Sequence, residues 1–190
     1  MTGHTDTALI VGDMQTGILA NYPFSQAPVP AMQSLVSAAR AHGILVVLVR
    51  TELRVSGVDV SANNSLITAF HQAGPLFHEG SGETDIIPGL APQAEDAVIT
   101  KRRTSAFAGT ELDLVLRAQR IETIALTGVA TSAMVAGTLY DALDRDYRAT
   151  VLSDACADAE ADVHDFFMER IFPARGARVM TAGSWLAEVG

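Results

Sequence analysis

Short apolar runs without polar alternation recur along this chain, separated by longer stretches of helical spacing, and that pattern limits the fold more than any other feature. The runs fall at 8–11, 45–49, 97–100, 123–126 and 150–152, with a weaker one at 177–180. Runs of this kind suit strands buried on both faces, as in a parallel sheet covered by helices. The segments between them supply the helices. Residues 29–42 place Met32, Leu35, Val36 and Ala39 on one face, and Gly43 ends the pattern. Residues 110–119 repeat it with Leu112, Val115 and Leu116. Residues 131–145 predict a helix capped by the Thr131 or Ser132 hydroxyl, 162–172 one that stops before Pro173, and 184–189 a short closing helix. Alternating strands and helices imply right-handed crossovers and an open, doubly wound, Rossmann-like α/β sandwich. A single domain over 1–190 is expected, long enough to bury about 70% of its unfolded surface.

Composition narrows the setting. The net charge of −9 opposes non-specific binding to nucleic acid or to anionic membranes, both of which need basic surface. One cysteine, Cys156, excludes an intrachain disulfide framework and suits a reducing, cytoplasmic location. No apolar run reaches about 18 residues, and the first residues lack a basic stretch followed by a long apolar one. Residues 52–92 are the least regular part, punctuated by glycine and proline, with one helix expected at about 61–73. So long an irregular segment is either a functional cover or a surface excursion.

In a doubly wound sheet, ligands bind beyond the carboxyl ends of the strands, where strand order reverses. The polar residues that follow the strands are Asp13 and Gln15, Arg50 and Thr51, Lys101 and Arg103, 127–132, and Ser153 with Asp154. Asp13 ends a buried strand, so desolvation raises its pKa unless a cation such as Lys101 offsets it. The pair reads either as an acid/base carboxylate held by a lysine or as a strand-end ion pair. The basic turn 101–107 would turn one cation inward and the others outward, with Phe107 as a pocket wall. The strand-to-helix turn 128–132 offers backbone N–H groups to a carboxylate or oxyanion, or is an ordinary crossover. Cys156 reads as a buried small residue after the fifth strand, without a histidine placed to activate it. His4, His42, His71, His78 and His164 have no metal-ligand spacing, so no metal is expected. There is no Gly-rich phosphate loop and no Gly-x-Ser-x-Gly elbow.

In combination, four blocks resemble the isochorismatase-like hydrolases, the cysteine hydrolase superfamily, over nearly the whole chain. They are 9–15 with Asp-Met-Gln, 101–107 with Lys-x-Arg-x-Ser-Ala-Phe, 126–135 and 151–158. The resemblance implies a three-layer αβα sandwich with a parallel sheet of about six strands. It also implies a cis peptide at Val129–Ala130 and assembly as a homodimer or homotetramer. In amidase members the triad is Asp, Lys and Cys. Asp13 and Lys101 match it, and Met134 stands at the cysteine position. The metal ligands of nicotinamidases are absent. Isochorismatases work without cysteine: their aspartate protonates a vinyl ether and water completes the cleavage, although they carry Tyr where this chain has Ala130. The resemblance thus implies a hydrolase of a small-molecule substrate with no cofactor, Asp13 as general acid/base and Lys101 as its partner. Gln15, Phe107, Val129, Ala130 and Met134 would bind substrate. The alternative is a non-catalytic small-molecule-binding protein on the same scaffold, with Met134 and Phe107 plugging the pocket.

Overall fold

The computed structural model describes residues 5–189; His4 lies outside them. Six strands, β1 (Thr7–Gly12), β2 (Leu45–Thr51), β3 (Ala97–Lys101), β4 (Thr123–Val129), β5 (Arg148–Ala157) and β6 (Arg178–Met180), form one sheet in the order β3-β2-β1-β4-β5-β6. Every pairing is parallel. The helices are α1 (Thr16–Asn21), α2 (Val29–Ala41), α3 (Ser65–Gln72), α4 (Leu112–Ala118), α5 (Ala136–Leu143), α6 (Ala161–Phe166), α7 (Phe172–Ala174) and α8 (Ala182–Val189).

Successive strand residues point to opposite faces, so each apolar run feeds two cores at once. Ala8, Ile10, Val47, Val49 and Leu126 pack with Leu112 and Leu116 of α4, Leu139 of α5 and Phe172. Leu9, Val11, Val46 and Leu48 pack with Met32, Leu35 and Val36 of α2 and Trp185 of α8. This is the αβα sandwich expected from the runs. Strand order reverses between β1 and β4, so Asp13 and the turn after Val129 emerge side by side.

Several details differ from the sequence reading. The six-residue helix α1 is too short to leave a periodic signal. β5 is much longer than its apolar core and slips register against β4 between Leu126 and Gly128, which places Cys156 inside the strand, opposite Gly128. The expected helix 131–145 opens with a wide turn, Thr131–Val135, in which the Val135 N–H donates to the Ala130 carbonyl at 3.2 Å. Neither Thr131 nor Ser132 caps it: Ala130 precedes the turn, the Ser132 N–H donates to Asp158 Oδ2 at 2.6 Å, and Thr131 Oγ1 meets His164 Nδ1 at 2.8 Å. A distant carboxylate satisfies that N–H, which no local pattern reveals. Pro173 lies within α7 because the first turn of a helix tolerates a missing N–H.

The irregular segment is pinned to the sheet end by backbone pairing. Leu53 donates to Phe77 O at 2.7 Å and accepts from the Glu79 N–H at 2.9 Å, while Ile87 donates to Met14 O at 3.0 Å. Within it, α3 is capped by Asn64, whose Oδ1 accepts from the Ile67 N–H at 3.1 Å.

Candidate active site

At the reversal point Asp13 adopts φ 59°, a left-handed conformation that aspartate tolerates better than most residues, and its N–H donates to Val49 O at 2.8 Å. Asp13 and Lys101 leave the ends of β1 and β3, with β2 between them. Lys101 Nζ lies 2.9 Å from Asp13 Oδ2. Thr51, at the end of β2, links the two: its hydroxyl donates to Asp13 Oδ1 at 3.1 Å and accepts from Lys101 Nζ at 2.7 Å. A third ammonium contact runs to Arg103 O at 3.3 Å. Asp13 is 7% exposed and Lys101 2%. Burial holds the Asp13 carboxyl above the ordinary carboxylate range, and the ammonium of Lys101 offsets that only in part.

Gln15 organises this trio without entering the cavity. Its Nε2 donates to Thr51 O at 3.0 Å and to Thr84 O at 3.1 Å, and its Oε1 accepts from the Thr51 N–H at 2.7 Å. The side chain acts as a missing neighbour strand for Thr51 and is fully buried. Expected to contact substrate, Gln15 is absent from the cavity lining, and its amide bonds run to backbone. Gln15→Leu strands the Thr51 N–H and two carbonyls, so it destabilises the protein by about 3 kcal/mol, read as a lowered urea midpoint at neutral pH.

Above the trio lies a cavity of about 270 Å³ that reaches Asp13 and Lys101. Val129, Ala130, Ala133 and Met134 line one side, and the Val129–Ala130 peptide is cis. The Met134 thioether is tucked against β1, in the space that a Cβ on Gly12 would occupy. It therefore floors the cavity without sealing Asp13 from it. The cavity is also lined by aromatic residues from parts of the chain whose sequence carries no chemical motif. Tyr22 and Phe24 follow α1, while Leu66, Phe70 and Phe77 come from the irregular segment, with Phe70 and Phe77 stacked at 4.3 Å. That segment thus contributes cavity wall.

Phe107, expected as a pocket wall, stands elsewhere. It is absent from the cavity lining and sits in the core beside Tyr147, ring centroids 5.9 Å apart, under the Arg145 guanidinium. The turn after β3 runs into α4, which carries Phe107 beneath the sheet. The same turn does divide its cations as its sequence suggests: Lys101 faces inward, Arg102 pairs with Asp59 and Glu79, and Arg103 donates to the Arg102 and Asp59 carbonyls. Cys156 does not reach the cavity either. Its Sγ faces Leu126 O at 3.9 Å, and burial pushes its thiol up to about 12. Among the described residues, no group of three His, Cys, Asp or Glu side chains is placed to hold a metal ion. No helix among them is long and apolar enough to cross a membrane.

A profile of the Isochorismatase domain matches residues 7–184. An uncharacterised isochorismatase family protein of Bacillus subtilis, YwoC, is 32% identical over 90% of this chain and 87% of its own. The ureidoacrylate amidohydrolase RutB of Serratia proteamaculans is 36% identical over 81% of this chain and 71% of its own. Among solved structures, a cysteine hydrolase from Pseudomonas syringae pv. phaseolicola superposes with a TM-score of 0.89 at 28% identity, covering 97% of this chain and 92% of that one. An N-carbamoylsarcosine amidase from Thermoplasma acidophilum gives 0.78 at 27% identity, covering 94% and 97%.

Proposed function

Since the chain belongs to the isochorismatase domain family of hydrolases, we propose that it hydrolyses a small organic substrate without a thiol nucleophile, with Asp13 as general acid. The supporting observation is the buried Asp13 carboxyl lining an open cavity, tied to Lys101 at 2.9 Å, with Met134, which the resemblance assigns to the family's cysteine position, lining the same cavity. A thioether has no proton to lose and forms no thiolate, so a covalent thioester route has no starting point here.

A carboxyl held above its usual range keeps its proton closer to neutral pH, which suits a proton donor. For a vinyl ether, the proton passes from Asp13 to the terminal vinyl carbon, and the ether oxygen stabilises the cation that forms. Lys101 and Thr51 stabilise the carboxylate left behind. Water adds to the cation and gives its surplus proton back to Asp13. The resulting hemiacetal or hemiketal then collapses to an alcohol and a carbonyl compound. Every step uses groups that line the cavity or touch Asp13, and the wide turn around Ala130–Met134 orients the substrate.

Phenyl vinyl ether is a suitable probe, because hydrolysis gives phenol and acetaldehyde. The active form is protonated Asp13, so kcat/KM falls as pH rises through its raised pKa. Lys101→Met removes the charge that lowers that pKa, and the descending limb moves to higher pH by about 1–3 units. A limb that stays in place in Lys101→Met means that another group donates the proton. Phenol release followed across pH, with the spontaneous acid reaction subtracted, gives the profile.

The other reading is a non-catalytic binding protein. A cavity that remains open to Asp13 favours the enzyme, since a binder that had lost its chemistry has no need to keep a buried acid poised there.

A further inference from the structure

We infer that this site takes an uncharged substrate built on a flat apolar ring and rejects carboxylates; this rests on Asp13 and Lys101 being the reacting end of the cavity. The first observation is a count of cations. Among the described residues, Lys101 is the one lysine or arginine lining the cavity, and no histidine lines it. An ammonium has three donors. Those of Lys101 meet Asp13 Oδ2 at 2.9 Å, Thr51 Oγ1 at 2.7 Å and Arg103 O at 3.3 Å, so none is left for a substrate carboxylate. The arginines nearest in sequence are turned elsewhere. Arg50 pairs with Glu52 at 3.4 Å, Arg102 with Asp59 and Glu79, and Arg103 with two carbonyls.

The second observation is the wall itself. Ile18, Tyr22, Phe24, Leu66, Phe70 and Phe77 line the same cavity as the acid. Phe70 and Phe77 lie nearly parallel, 15° apart at 4.3 Å, and Tyr22 and Phe24 are tilted by 57° at 6.2 Å. Flat rings of this kind offer faces and edges to another ring. A carboxylate among them loses its water and finds no free ammonium or guanidinium to pair with. The volume of about 270 Å³ is at the small end for ligand pockets, which fits a single ring with a short reacting group.

Benzamide and benzoate test this directly, because they share one shape and differ in charge. Calorimetric titration of the wild-type protein at neutral pH is expected to show benzamide binding at least tenfold more tightly than benzoate. Phe70→Ala is expected to weaken benzamide about tenfold, with Phe70→Leu intermediate if the wall rather than the fold is at issue. Benzoate binding as tightly as benzamide, binding of neither, or a Phe70→Ala protein that is folded and unchanged would overturn the inference. Turnover separates this claim from the preceding one. Asp13-dependent release of phenol from 2-phenoxyacrylate that outpaces release from phenyl vinyl ether overturns the neutral substrate class and leaves the role of Asp13 intact. A benzamide preference without any Asp13-dependent phenol release upholds the class and removes the reaction.

Discussion

Asp13→Asn lowers kcat/KM for vinyl ether cleavage by about a thousandfold, within the range that general acid catalysis supplies. An amide cannot give up a proton at neutral pH, so what remains is orientation by the cavity walls. The substitution is nearly isosteric, but its single amide oxygen replaces only one of the two carboxylate acceptors, which take the Thr51 hydroxyl at 3.1 Å and Lys101 at 2.9 Å in the native protein. It does remove the counter-charge of a buried ammonium, so a loss of stability accompanies the loss of activity. Far-ultraviolet circular dichroism and benzamide affinity separate the two: both stay near wild type if the variant is folded and only the chemistry is gone. Full activity in a folded Asp13→Asn protein would exclude Asp13 as the donor.

Gly128→Ala has the largest expected effect on stability. Gly128 lies in β4 opposite Gly12 of β1, at φ 131°, where side chains are rarely found. A Cβ there would run into the backbone of Gly12, including its carbonyl oxygen and nitrogen. Backbone cannot move aside as a flexible side chain can, so the two central strands must separate. The cost is about 4 kcal/mol or more, the size reserved for strain at a special backbone position. For a chain of this length that corresponds to about 8–16 °C in Tm. Activity falls further than stability predicts, because the same separation moves Asp13 away from the Val129–Ala130 turn. A thermal melt within about 2 °C of wild type would show that the close approach of β1 and β4 is dispensable.

The sheet was legible because each buried strand of a parallel sheet is a local run of apolar residues, and Asp13 and Lys101 were legible because they directly follow or end such runs. The remainder depends on contacts between distant residues. Gln15 sits beside Asp13 in sequence and suggests a substrate ligand, yet its partners Thr51 and Thr84 come from other parts of the chain and consume its amide. Phe107 follows the basic turn closely enough to suggest a wall, yet the direction of the chain into α4 buries it beside Tyr147. The aromatic lining comes from Tyr22, Phe24, Phe70 and Phe77, none of which belongs to a chemical motif. The cap on the turn after β4 comes from Asp158, far along the chain from Ser132. Thr51 stood among the strand-end polar residues, but its bridging of acid and lysine follows only from the order β3-β2-β1.

Hydrolysis that depends on a carboxyl and not on a thiol is tested most directly by comparing phenol release from phenyl vinyl ether in Asp13→Asn and Cys156→Ala, the second removing the one cysteine of the chain. The account predicts wild-type release by Cys156→Ala and release about a thousandfold slower by Asp13→Asn. Release that survives in Asp13→Asn and disappears in a folded Cys156→Ala protein would contradict it.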